Sequence, residues 1–212
     1  MEVVYTEKLP KKFKTTKDKI IGIYGDILDL VSIGFDINGI SYDDEWTVKR
    51  FLNGFGFKKK KNYISTIEYL EIDKSILNTK ICNLPKSKFK FVLLAYLLIN
   101  NKNMIIFDYF DVGLAYQDKR QLSKIIRLMK NDGYTSFIVS NDLVYLSTIV
   151  DKLMVIKSGS VVYDGSVSDY LSICEDNPVI LDFIKKSNDM GAGLELTLDS
   201  RELLKDIYRR KS

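Results

Sequence analysis

The chain has 212 residues and 46% apolar content, enough for one substantial core or for a core with a small appended subdomain, which excludes a disordered chain. Its net charge of +4 is mild and both signs are mixed along its length, so no nucleic-acid partner is called for. Histidine is absent, which removes Ser-His and Cys-His catalysis and histidine-ligated metals.

The start, Met1 to Lys8, lacks a basic n-region and an apolar h-region, so no signal peptide is expected. The longest apolar run, Phe91 to Ile99, is too short to cross a bilayer, which takes about 20 residues. Cys82 and Cys174 lie far apart with no metal-ligand spacing, the pattern of reduced thiols in a cytosolic protein. Two basic clusters, Lys11 to Lys14 and Lys58 to Lys61, could face anionic headgroups or phosphates, but clusters this short read as solvated loops.

In chain order, Ile20 to Gly25 is a short apolar strand ending in glycine, and Phe35 to Ile40 alternates through an Asn-Gly turn. From Trp46 to about Ile81 the pattern turns charged and helical, with Ile64, Ile67 and Leu70 at helical spacing. Leu84 to Lys88 precedes a helix predicted over Phe89 to Ile99, with Pro85 suited to a first turn. Met104 to Phe107 is an apolar run bounded by the Asn/Lys cluster before it and Gly113 after it, the signature of a buried parallel strand. Asp108 stands at its carboxyl end, where open α/β sheets bind ligands.

A helix follows over Gln117 to Lys130, with Leu122, Ile125, Ile126 and Met129 as its core stripe and Gly133 as its cap. Ser136 to Ser140 is a second buried strand, and Asn141-Asp142 caps a helix over Leu143 to Val150. Leu153 to Ile156 and Val161 to Tyr163 form a hairpin through Ser158-Gly159. Beyond Gly165 come a short helix around Tyr170, a helix opened by Asn177-Pro178, a weak strand over Leu194 to Leu198, and a final helix carrying Leu203, Leu204 and Ile207.

Over residues 18 to 168 the order of these pieces resembles the ATP-binding cassette (ABC) ATPase domain, most closely from Leu84 to Gly165. The resemblance implies an α/β fold with a P-loop NTPase-like sheet core, a β-rich N-terminal part and a helical insertion. It divides the chain into an ABC-like domain, 1–168, with a helical subdomain at about 46–100, and a helical extension, 169–212.

The family's chemistry is altered at each motif. A P-loop needs a glycine-rich turn around the phosphates, a lysine for the β- and γ-phosphates and a hydroxyl for Mg²⁺. Read without gaps, this sequence puts Leu30, Val31 and Ser32 where Gly, Lys and Ser belong, so that only Gly25 and Ser32 are kept. Read with a gap, Asp26 to Ile33 is a shortened bridge to Gly34 to Gly39. Neither reading supplies the lysine, and Asp26 and Asp29 would repel phosphate. The signature motif becomes Leu84-Pro85-Lys86-Ser87-Lys88 without its glycines, although Lys86 and Lys88 at a helix start could attract an anion.

Walker B keeps Asp108, but the catalytic glutamate is replaced by Tyr109, whose phenol with an ordinary pKa of about 10 is a poor proton acceptor. Tyr109 and Phe110 read as packing or contact residues, and Asp111 comes too late in the turn to act as a displaced base. Gly113-Leu114 falls at the D-loop, whose aspartate becomes Ala115. The switch histidine is replaced at Ser140-Asn141-Asp142, and the glutamines Gln117 and Gln121 both lie after Walker B, so the Q-loop glutamine is missing.

What remains is a set of vestigial positions, Gly25, Ser32, Leu84, Ser87, Asp108 and Asn141, with no catalytic residue and with Asp108 as a metal ligand only if Mg²⁺ is bound. The expectation is a non-catalytic cytosolic subunit of an ABC transporter, peripheral at the inner face of the membrane, without a cofactor, docking on a permease through its helical region. It would pair with itself or with an active ABC ATPase. Two alternatives stand beside it, an ATPase with an atypical site for ATP and Mg²⁺, and a soluble regulatory or immunity-type binding protein on the same fold.

Overall fold

The computed structural model describes residues 3–6, 19–25, 27–32, 37–54, 62–100, 102–174 and 178–211. The two lysine clusters, the Phe35-Asp36 half of the Asn-Gly turn and Asp26 lie outside them.

Six strands form one sheet in the order β1-β3-β4-β2-β5-β6, with β1 Val3–Tyr5, β2 Ile20–Tyr24, β3 Met104–Asp108, β4 Thr135–Val139, β5 Lys152–Lys157 and β6 Ser160–Gly165. The four central strands run parallel, and β1 and β6 are antiparallel edges. The period of two divides the strand residues between two cores. Ile105 and Phe107 of β3, Ile138 of β4, and Leu153 and Val155 of β5 face the larger one. Ile21, Ile23, Ile106, Phe137, Val139, Met154 and Ile156 face the other, where Leu30 also packs.

Among the described residues the helices are α1 Ile27–Ser32, α2 Val48–Asn53, α3 Asn62–Tyr69, α4 Lys86–Ile99, α5 Tyr116–Asn131, α6 Leu143–Ile149, α7 Val167–Ile173, α8 Val179–Asp189 and α9 Ser200–Lys211. Short 3-10 turns cover Lys74–Asn78 and Ile81–Asn83. The predicted stripe of α5 is fully buried. Helix α6 lies so close to the sheet that a Cβ added to Gly22 would stand 2.9 Å from Val150 Cγ1. Among the described residues no helix is long and apolar enough to cross a membrane.

Two sequence readings need correction, and two features went unread. Helix α4 starts at Lys86 rather than Phe89, because Pro85 stands before the first turn as its N-cap and not within it. Leu194 to Leu198 is not a strand: the Leu194 backbone is bonded by the Asn188 side chain and the Glu195 N–H by Asp206, so side chains take the place of a sheet partner. Asn38, read only as part of an Asn-Gly turn, exchanges two backbone hydrogen bonds with Tyr5. The edge strand β1, three residues long, has too short a pattern to be read.

Candidate functional site

The carboxyl ends of β2, β4 and β3 lie side by side. Asp108 is in register with Val139, as is Ile23. The chain leaves this edge through two further bonds, from Tyr109 N–H to the Val139 carbonyl and from Ser140 N–H to the Ile23 carbonyl, each 3.0 Å. Gly25, Asp108 and Asn141, predicted on separate motifs, are thereby brought to one edge. Leu84 and Ser87 are on another element, Leu84 packed on the larger core and Ser87 in the first turn of α4.

After Gly25 the backbone enters α1 at Ile27, and this helix is six residues long. Leu30, a glycine position in the ungapped reading, is buried in the sheet core, and Val31, the lysine position, is 52% exposed. The side chains of Asp29 and Ser32 lie outside the described residues.

Tyr109 follows Asp108 at this edge. Its φ of 46° is left-handed, a conformation that costs an L-residue roughly 1–2 kcal/mol. The turn sends the ring back across β4 toward β2, where its hydroxyl donates to the Gly25 carbonyl at 3.0 Å. The ring also packs on the smaller core, as do Ile37 and Val161. Asp108 is half-buried beside it and Asn141 is exposed.

The turn after Tyr109 is held from below. Lys90 of α4, 3% exposed, donates to the carbonyls of Phe110 at 2.9 Å and Val112 at 2.7 Å, with its ammonium 5.3 Å from the Phe110 ring centre. Phe110 stands edge-on to Phe107 and Phe91. Asp111 is buried at 3% exposure, its Oδ2 3.8 Å from Lys119 Nζ. Lys90 was not singled out in the sequence. Its signal there is a cation between Phe89 and Phe91, at the head of the apolar run that fills the rest of the helix.

On the switch side, the Ser140 hydroxyl accepts from Asp142 N–H, and the Asp142 carboxylate caps α6 through Tyr145 N–H. Asp142 is thus spent on the helix start. Segments 24–32, 108–113 and 140–142 contain no lysine, arginine or histidine, so the edge offers a nucleotide's phosphates no cation from its own loops. Among the described residues no group of three Cys, Asp or Glu is gathered as a metal site.

The mainly parallel sheet with helices packed on it is an α/β fold, and solved structures show it to be that of ABC ATPase domains. A nucleotide-free ATP-binding cassette from an ABC transporter superposes with a TM-score of 0.63 at 17% identity, over 87% of this chain and 99% of that one. The CbiO1 subunit of a Clostridium perfringens ABC transporter complex gives 0.60 at 15% identity, over 80% and 88%. In sequence, the energy-coupling factor transporter ATP-binding protein of Malacoplasma penetrans is 26% identical over 155 residues, 69% of this chain and 53% of that protein. An uncharacterized ABC transporter ATP-binding protein of Methanocaldococcus jannaschii is 27% identical over 133 residues, 60% and 51%. The chain spans only 18% to 57% of the length of the curated relatives it matches first. No protein-family model matches it.

Proposed function

We propose that the chain is a non-catalytic ABC-type subunit of a membrane transporter, docking on a permease, on an active ABC ATPase, or on both, at the inner face of the membrane. The observation that carries this reading is the Tyr109 hydroxyl on the Gly25 carbonyl, 3.0 Å apart. The phenol stands where Walker B would present a glutamate to water, and it closes the edge on which a P-loop would cradle phosphate. A nucleotide entering there would meet a phenol in place of the glutamate. It would also lack the lysine, whose charge-assisted hydrogen bonds are worth about 1.5–3 kcal/mol each.

The similarity to ABC transporter ATP-binding proteins supports the transport setting. In that setting both composite sites of a head-to-tail dimer are impaired, one by the missing P-loop lysine and the other by the altered signature. The fold then contributes docking surfaces and leaves ATP turnover to a partner.

Calorimetric titration of the purified chain with ATP, with and without Mg²⁺, tests the reading. No binding at millimolar ATP is the expected result. ATP turnover that Asp108→Asn abolishes would overturn it and establish an ATPase with an atypical site. Co-purification with a permease supports the docking role, and a lone monomer that ignores co-expressed transporter subunits counts against it.

A further inference from the structure

A trough of about 1050 Å³ runs between α5, α6 and the start of α9. It meets the Tyr109 edge only at Asp142, and its far wall, Leu198 to Arg201, belongs to the stretch beyond the region resembling an ABC domain. Five cations line it: Lys119, Arg120, Lys124 and Arg127 from α5, and Arg201 from α9. Lys124 is paired with Glu71 and Lys119 lies 3.8 Å from Asp111, and the two acids in the walls, Asp142 capping α6 and Asp199 accepting from Arg201 N–H, keep their charge, so the excess rests on the three guanidiniums.

The three guanidiniums are exposed and meet only neutral groups. Arg127 donates to the Thr148 carbonyl at 2.7 Å, Arg201 to the Tyr116 hydroxyl at 3.4 Å, and Arg120 lies 6.0 Å from the Tyr116 ring centre. None of them has a carboxylate partner among the described residues. Helix α5, 16 residues long, runs along the trough from its first turn, where Tyr116 and Gln117 line it, and its cap residue Ala115 offers no side-chain acceptor. That helix end adds partial positive charge.

A second observation lies on the trough wall. Tyr145 is 8% exposed, with its hydroxyl buried beside Ser123. The neighbouring Ser123 hydroxyl donates to the Lys119 carbonyl, and the Lys119 ammonium lies 5.6 Å from the Tyr145 ring centre. The trough therefore presents three guanidiniums that no carboxylate among the described residues neutralises.

We propose that this trough docks an acidic segment of a partner protein, one in which carboxylates alternate with apolar side chains. Planar guanidiniums match carboxylates in forked pairs. The apolar complement is present in Val144 within the trough and in Leu204 and Tyr208, exposed one and two turns along α9 from Arg201. From Tyr116 to Arg127 the floor is roughly 16 Å long at 1.5 Å per residue, room for about five extended residues. A polynucleotide fits less well, because Asp118 and Glu202 interrupt the basic surface and the whole chain carries only +4.

The test measures fluorescence anisotropy of the full chain with a labelled Glu-Leu-Glu-Phe-Glu peptide, its Gln-substituted counterpart, and an oligouridylate of similar length. Saturable binding of the acidic peptide alone is expected, weakening with salt. The double variant Arg120→Glu/Arg201→Glu should bind it about tenfold more weakly, as expected for lost charge pairs at a partly exposed site. Lys186→Glu on α8, outside the trough, should leave binding unchanged. Circular dichroism confirms that the variants fold, and Arg120→Gln read in the same assay replaces the double variant if it does not. Absence of peptide binding, equal binding by the charge-reversed variant, or preference for the oligouridylate would overturn the proposal. None of these outcomes bears on ATP binding, so the assignment of the Tyr109 edge is judged separately.

Discussion

The hydroxyl of Tyr109 and the carbonyl oxygen of Gly25 are 3.0 Å apart, joining the ends of two strands that are not neighbours, with β4 between them. A neutral hydrogen bond of this kind contributes about 1 kcal/mol. Tyr109→Phe keeps the ring packing and should lower the urea-unfolding free energy by about that amount. It should not create ATP binding, because no lysine becomes available at the edge. Acquired nucleotide binding in this variant would mean that the phenol alone keeps the site closed.

Lys90 carries a different weight. Lys90→Met fills the same volume but leaves the Phe110 and Val112 carbonyls without their donor, at about 1–3 kcal/mol for each that stays dry. Chemical denaturation should show a loss of about 2 kcal/mol or more. Hydrogen exchange should quicken at Leu114, whose N–H closes the same turn onto Asp111.

Gly22→Ala drives a Cβ against Val150 Cγ1 and Leu146 Cδ2. Overpacking of this kind costs about 1–3 kcal/mol. Because Val150 is the obstacle, Val150→Ala in the same chain should recover part of the loss. A double-mutant cycle measures that coupling, and additive effects would show that the contact is not the cause.

Asp206 accepts from Glu195 N–H and from Arg210, and these contacts, the backbone bond first, hold its carboxyl below the usual carboxylate range. A depressed folded value stabilises the fold fully above the unfolded pKa of about 3.9, and that contribution fades as pH falls through the lower folded value. The packing of α9 on the 194–198 segment should therefore weaken under acid. Asp206→Asn should flatten that part of the stability–pH profile, measured by thermal melts between neutral and strongly acidic pH.

The strands β2 to β5 were legible because each is an apolar run with turn residues on both sides, and α5 because Leu122, Ile125, Ile126 and Met129 keep helical spacing. Positive φ at Ser158 and Gly159, 50° and 71°, agrees with the hairpin read from that dipeptide. Leu194 to Leu198 carried a strand's pattern without a strand's partner, and sequence cannot show that Asn188 and Asp206 satisfy its backbone. At the edge, Asp108 was legible from its place after an apolar run. The left-handed turn of Tyr109 was not, because nothing in a tyrosine's chemistry announces a positive φ. Lys90 stayed hidden because α4 is apolar on most sides, so no face identified it as inward.

The Ile20 N–H donates to the Asp151 carboxylate across 131 residues of chain, and β2 lies between β4 and β5. On a ribosome, β2 emerges early and waits for both neighbours. Until they arrive, Ile20, Ile21 and Ile23 form a sticky strand with two open edges, a window in which a chaperone or a neighbouring nascent chain can capture it. Assembly of the sheet is therefore a late, distance-limited event, and slow synthesis between the β2 and β5 codons would lengthen that exposure.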